Sequence, residues 1–437
     1  MLAAMSSAAL RPSSQATAVS RDRGDACPGT LRLHAADDGA LARVRIPGGV
    51  LTVRQAEVLA DAAERLGDGD VHLTSRGNVQ LRGLADGCGA ALAESLTAAG
   101  LLPSRGHERV RNIVASPLSG LDAQGFLDVR PWLSALDTAL CASEAAQALS
   151  GRFLFALDDG RGDMADLEAD VTVRAAADGG AQLALGSAGQ ALHLSAEDAP
   201  RAALAAAEAF LEAERAGGTR AWRVAELALA DDELTALAGR RLTAEGIGHR
   251  RRVRETGRAD GPQPGVVGDA LSVHVPLGRF SAPQWRELTR VTVGELRLTP
   301  WRGVVLPTPG TSAAQRTEAL ARLDTVGLVT APDSPWLRVG ACIGRPGCAK
   351  SRADVRADAT ATLGAVGALQ HQSGLPLYWS GCERRCGHPR GERIDVVAAP
   401  EGGYRLSVAG PGPGDDGARA VDLDDPSRLA VALAKIT

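Results

Sequence analysis

Between Leu41 and Leu102 the spacing of apolar positions changes period several times. Leu41 to Ile46 (LARVRI) alternates apolar residues with arginine and stops at Pro47-Gly48-Gly49, the pattern of a strand closing in a turn. Thr52 opens TVRQ, a capping box, and Val58, Leu59, Ala62, Ala63 and Leu66 then form a helical stripe ending at Gly67. Alternation returns at Val71. Read as one strand, TSRGNVQLRG (Thr74 to Gly83) puts Thr74, Arg76, Asn78, Gln80 and Arg82 on one face and Val79 and Leu81 on the other. A face with two guanidiniums and two amides calls for an anionic, polar partner. On an ideal strand Arg76 and Arg82 would stand about 20 Å apart, so Gly77 is expected to bend the chain. Ala90 to Leu102 reads as a further helix.

The same succession recurs near the middle of the chain. Leu271 to Leu306 runs strand, ProLeuGly, a helix opening near Ser281, then a strand over Gly294 to Leu306. VRIPGG is answered by VHVPLG, and HLTSRGNVQL by RLTPWRGVVL. VRNIVASPLSG (Val110 to Gly120) is echoed by VGACIGRPGCA (Val339 to Ala349). The order predicts an internal duplication, each copy a small α+β unit followed by a larger one. Between the copies, Pro200 to Gly218 predicts a helix, and Arg258 to Gly268 has the Gly and Pro content of a linker.

Composition narrows the class of protein. At 437 residues the chain exceeds one ordinary core, so several domains are expected. A net charge of −4 gives no basic footprint for nucleic acid, so an anionic ligand must be met by local arginines. Lysine is nearly absent while arginine is abundant, so each arginine needs its own justification. Residues 1–25 read as a disordered leader without the apolar run of a signal peptide. No stretch reaches the length of a membrane span, and a cytoplasmic location is expected. In that setting seven cysteines point to a metal or a reactive thiol rather than a disulfide framework.

Four of those cysteines are close in sequence: Cys342 and Cys348 in CIGRPGC, then Cys382 and Cys386 in CERRC. Four thiolates from two loops suit a tetrahedral zinc or an iron–sulfur cluster. Structural zinc favours tighter knuckles, whereas gaps of five and three residues let two loops wrap a larger cubane. Ala353 to Leu363, a helical pattern after Cys348, would aim a positive dipole end at an anionic cluster. Cys27, Cys88 and Cys141 are scattered, and Cys141 reads as core.

CIGRPGC followed by SGCERRCGHP resembles the cluster-binding signature of the nitrite/sulfite reductase superfamily. TSRGNVQLRG resembles that superfamily's arginine-bearing strand, VRNIV (Val110 to Val114) its second arginine loop, and GRFLFALDD (Gly151 to Asp159) its basic active-site segment. The resemblance implies an α+β fold, internally duplicated, with two ferredoxin-like half-domains and two larger reductase-type domains. It implies boundaries at 26–88, 89–257, 258–312 and 313–437, the last binding the cluster. It implies a 4Fe–4S cluster on Cys342, Cys348, Cys382 and Cys386. Arg76, Arg82, Arg111 and Arg152, with Asn78, Gln80 and Asn112, would face a tetrapyrrole. In the reductases that tetrapyrrole is sirohaem, sharing the last cysteine, here Cys386.

One departure redirects the expectation. Where the reductases resemble LPRKFK, this chain has Arg152 but Leu154 in place of the second lysine. A leucine cannot deliver charge or a proton to a bound anion. Together with CPGTLRLH (Cys27 to His34), this resembles the precorrin-3B synthase family of aerobic cobalamin synthesis. That family implies precorrin-3A and O2 as substrates, hydroxylation at C20 with closure of a γ-lactone, an external electron donor, and a mononuclear non-haem iron besides the cluster. Of His34, His72, His107, His274, His371 and His388, none forms an HxD or HxxxH-type pair, so that iron has no ligand assignment. His388 reads as a hydrogen-bonding neighbour of the cluster. The alternatives left open are a sirohaem nitrite or sulfite reductase and a non-catalytic tetrapyrrole-binding or zinc-stabilised protein.

Overall fold

A computed structural model describes residues 25–432 except 26, 231, 367–373, 390, 411–415, 426–427 and 430–431. The leader expected over 1–25 lies, save Asp25, outside the described residues, as does His371. The described residues form four β-sheets with helices packed against them. No helix among them is long and apolar enough to cross a membrane.

Two five-stranded sheets share one core and exchange strands. In the first unit the strands Gly39–Val44, Val79–Leu84 and Asp70–Leu73 pair antiparallel beneath the helix Val53–Leu66. The second repeats this with Ala270–His274, Gly303–Pro307 and Glu295–Leu298 beneath Ala282–Val291. Each unit then lends a short strand to the other's sheet: Val50–Thr52 pairs with Glu295–Leu298, and Arg279–Ser281 pairs with Asp70–Leu73. Both helices begin in a capping box, Thr52 with Gln55 and Ser281 with Gln284, as the sequence predicts for the first. Their apolar stripes meet in a common cluster that includes Leu59, Ala63, Trp285 and Leu288. Trp285 seals the contact by donating its indole N–H to the Ala56 carbonyl at 2.7 Å.

The turn before each lent strand runs through left-handed backbone. Gly48 has φ +61° and its counterpart Leu277 φ +55°. Glycine is required at the first because an added Cβ would meet Leu133 Cδ2 at 2.4 Å, whereas the Leu277 side chain has a core pocket of its own.

The larger domains also repeat. In the first, Ile113–Ala115, Phe155–Asp158 and Val171–Ala175 run parallel, and Gly180–Leu185, Gln190–Ser195 and His249–Val253 follow antiparallel. In the second, Val339–Ala341, Leu377–Ser380 and Arg393–Ala398 run parallel, followed by antiparallel Tyr404–Ala409 and Asp416–Leu423. The echoing segments VRNIV and VGACI thus start equivalent sheets. The predicted helix between the copies spans Ala199–Gly217 and is capped by left-handed Gly218.

Three expectations are corrected. The stretch Thr74 to Gly83 is a hairpin, not one strand: Leu73 pairs with Val79, and Arg76 and left-handed Gly77 (φ +64°) sit in the turn. Arg76 therefore does not share a strand face with Arg82. Gly294 to Leu306 is likewise a hairpin, with left-handed Arg302 at the place of Gly77. Finally, the helices Gly89–Ala98 and Ala313–Thr325 pack through Leu92, Leu96 and Leu323 into the ferredoxin-like core, so that core continues past residues 88 and 312.

Candidate active site

The hairpin turn, the strand Gly39–Val44 and its extension, and the N-terminal segment converge on a cavity of about 640 Å³. Five guanidiniums line it, from Arg43, Arg45, Arg76, Arg152 and Arg223, against the carboxylates of Asp25 and Glu226. Arg45 is 3% exposed, and its Nη1 has no hydrogen-bond partner. Its other contacts are the carbonyls of Arg109 and Gly151, at 3.3 and 3.4 Å. Burial, and then Arg43, push its pKa down to about 9. Burial also pulls Arg76 to about 10, with Arg223 and Arg43 adding repulsion. A buried cation without a carboxylate is costly, and an anionic ligand would relieve that cost.

The amides hold this array rather than form a row. Asn78 accepts the Ile46 N–H at 2.8 Å and donates to the Asn112 side chain at 3.0 Å, and Asn112 donates to the Phe153 carbonyl. Gln80, with its oxygen turned toward Arg43, accepts from Nε at 3.1 Å. Arg152 lies over the Trp222 ring, 4.9 Å from its centroid. Arg223 is tied to Asp170 at 2.6 Å. Asp25 anchors the N-terminal segment by accepting from Ser150, Gly151 and Cys27, and the Cys27 thiol lines the same cavity with its pKa pushed up by burial.

Two of the expected arginines are elsewhere. Arg111 makes a bidentate pair with Asp137, both contacts at 2.7 Å, and donates to the Leu101 carbonyl. Arg82 forks onto Asp38 at 2.9 and 2.8 Å and donates to the Gly347 carbonyl at 3.0 Å. It belongs to the cysteine loop, not the cavity. Arg43 and Arg45 line the cavity too, although in the sequence their alternation with apolar residues reads only as a strand closing in a turn. Leu154 is 2% exposed in an apolar cluster with Val114, Ala156, Met164 and Ala169, against which Trp301 packs.

Cys342 and Cys382 follow the C-terminal ends of the neighbouring parallel strands Val339–Ala341 and Leu377–Ser380, where ligand-binding loops of such sheets gather. The Gly381 N–H donates to Cys342 Sγ at 3.3 Å. Burial raises the Cys342 pKa, and Cys382 and Cys386 are near enough to raise it further. The loop holding Cys348 is gripped by Arg82 at Gly347 and by Asp37 at the Ala349 N–H. Among the described residues no three of the four sulfurs lie mutually within 4.8 Å. A single zinc would need sulfurs roughly 3.8 Å apart, given bonds of about 2.3 Å. Four thiols set on two such loops are a donor set that would suit an iron–sulfur cluster.

His388 is exposed and its Nδ1 bonds the Pro389 carbonyl. Asp68, Asp70 and His72 bring ligand atoms within 4.8 Å of one another, and their order in the chain, DxDxH, is neither an HxD nor an HxxxH pair. Its members are already engaged. Arg356 faces His72 Nδ1 at 3.3 Å, which leaves the proton on Nε2, toward Asp68 at 3.3 Å, while Asp70 pairs with Arg279. The ring therefore offers a metal no lone pair.

The duplicated half-domains, the strand exchange and the thiol loops point to one class: the chain is similar to proteins of the nitrite/sulfite reductase superfamily. The Nitrite/Sulfite reductase ferredoxin-like half domain matches at residues 34–99 and 262–324, the two units that exchange strands. Among particular relatives, a precorrin-3B synthase from a Sinorhizobium species is 27% identical over 99% of this chain and 92% of its own. A ferredoxin–nitrite reductase from Synechococcus elongatus is also 27% identical, over 82% of this chain and 76% of its own. The structure of Mycobacterium tuberculosis NirA shares the fold with a TM-score of 0.66, at 18% identity, covering 90% of this chain and 79% of that one.

Proposed function

We propose that this oxidoreductase is an oxygen-dependent precorrin-3B synthase, which hydroxylates precorrin-3A at C20 with γ-lactone formation in aerobic cobalamin biosynthesis. The observation that carries the reading is the arginine-lined cavity combined with a buried leucine at position 154. A precorrin is rimmed by acetate and propionate groups, and several guanidiniums at fixed positions grip such a rim bidentately. That Arg43, Arg45, Arg76 and Arg152 line one cavity supports this reading. Leu154 turns into the apolar cluster with Trp301 and brings no second cation for reducing a small anion. The macrocycle is then the substrate rather than a resident cofactor.

Placing one atom of O2 in the product and the other in water consumes two electrons, drawn from an external donor. A 4Fe–4S cluster on Cys342, Cys348, Cys382 and Cys386 would relay them one at a time. The end-to-end match with a precorrin-3B synthase supports this reading. The second reading, a sirohaem-dependent nitrite or sulfite reductase, is favoured by an equally identical cyanobacterial nitrite reductase. The pigment of anaerobically purified protein separates the two. A broad brown iron–sulfur spectrum is expected, and intense sirohaem bands would sink the synthase. Turnover of precorrin-3A under 18O2 should label the product; an unlabelled product refutes the oxygenase.

A further inference from the structure

The cysteine loop is surrounded by positive charge, and one of its cations is anchored in an unusual way. Arg356, on the helix Val355–Val366, donates from Nε to the Cys342 carbonyl at 3.2 Å and from Nη1 to His72 Nδ1 at 3.3 Å. Among the described residues it has no carboxylate within 4.0 Å. Arg82, by contrast, is paired with Asp38 and Arg279 with Asp70. An arginine guanidinium is a cation at neutral pH whatever its surroundings. Its partner His72 is 5% exposed, and burial lowers the imidazole pKa. A carboxylate in that place would hold the guanidinium and cancel its field. A neutral imidazole holds it and leaves the field intact.

We propose that Arg356, locked by His72, is a positioning residue that raises the reduction potential of the cluster carried by the four cysteines. The inference rests on the reading that those cysteines bind a 4Fe–4S cluster. Reduction adds one electron from a low-potential donor to the cluster, with no proton or bond change. A cation bonded to the carbonyl of a ligand residue stabilises that extra negative charge. The adjoining cavity of about 810 Å³ is lined by Leu277, Ile343 and Trp336 beside Arg279 and Arg345, with the carboxylates of Asp38, Asp68 and Asp354 on the same walls.

The test is a potentiometric titration of the anaerobic full-length holoprotein, followed by the electron paramagnetic resonance signal of the reduced cluster. Arg356→Gln should lower the midpoint, and Arg356→Lys should restore most of it. His72→Glu keeps Arg356 but sets a carboxylate beside it, and should also lower the midpoint. Unchanged midpoints in Arg356→Gln and His72→Glu, at wild-type iron and sulfide content, overturn the proposal. If Arg356→Gln fails to assemble a cluster, His72→Glu alone decides. Absence of iron and acid-labile sulfide from the wild type would instead sink the cluster reading itself, a different failure.

Discussion

Where the first half of the chain carries Arg45, the second carries His274; Arg76 is answered by Trp301, and Gln80 by Val305. The exchange runs the other way at the sheets of the larger domains. In the second half the loops after the first two parallel strands bear Cys342, Cys348, Cys382 and Cys386. In the first half the corresponding loops bear Ser116, Asp159 and Asp163, buried around Arg161. One fold plan, used twice, thus gathers arginines around a cavity in one copy and thiols on the sheet loops of the other. The strand Val79–Leu84 joins the two tasks: Gln80 orients Arg43 in the cavity, and Arg82, two residues on, fixes the cysteine loop.

The comparison breaks most sharply at the thiols. Cys342→Ser should abolish cluster binding, read as loss of iron and acid-labile sulfide, because the hydroxyl is a poor substitute for a thiolate ligand. Ser116→Ala, at the corresponding loop of the first half, should leave metal content unchanged. Retention of full iron in Cys342→Ser would show that the second half is not the metal-bearing copy.

Next come two buried arginines of one half that look alike in sequence and differ in partners. Arg111→Met removes one side of a bidentate pair and strands Asp137, at a cost of about 3 kcal/mol in chemical denaturation. Arg45→Met removes a cation that has only carbonyl partners, so ligand-free stability should hold or rise. Its affinity for a polycarboxylate tetrapyrrole such as sirohydrochlorin should fall about tenfold to a hundredfold, the loss of a charged hydrogen bond. If Arg111→Met proves neutral for stability and Arg45→Met does not, the assignment of structural and binding arginines is reversed.

That pair also shows what the sequence could reveal. The duplication, both helix stripes and the thiol loops were legible because period, capping box and cysteine spacing are local signals. Motifs point to Arg76 and Arg152, and both line the cavity. Arg82 and Arg111 were misplaced because a motif names a residue and not its partner: Asp38 and Asp137 lie 44 and 26 positions away. Alternation over Thr74 to Gly83 hid the hairpin, since a tight turn at Arg76-Gly77 keeps apolar residues in phase on both arms. His72 and Arg356, 284 positions apart, meet only in three dimensions.

The smallest effect expected is at the acidic counterpart of the thiol site. Burial, with Asp158 and Asp159 nearby, raises the Asp163 pKa to about 7, while in the unfolded chain it titrates near 3.8. Between those values the folded state binds the extra proton, so this group's contribution to stability falls as pH rises from 4 to 7. Asp163→Asn removes that penalty and keeps a hydrogen-bond partner for Ser116, which now donates at 2.6 Å. The variant should therefore match wild type near pH 4.5 and exceed it at pH 8 by about 1–2 kcal/mol. Arg161, 4.0 Å from Asp163 and paired with Asp159 and Asp122, works against this by favouring the charged form. An equal or lower stability of the variant at pH 8 would mean that Arg161 already neutralises the cluster. The first half would then hold a resident cation where the second holds its thiols, and the likeness between the two loops would run deeper than their topology.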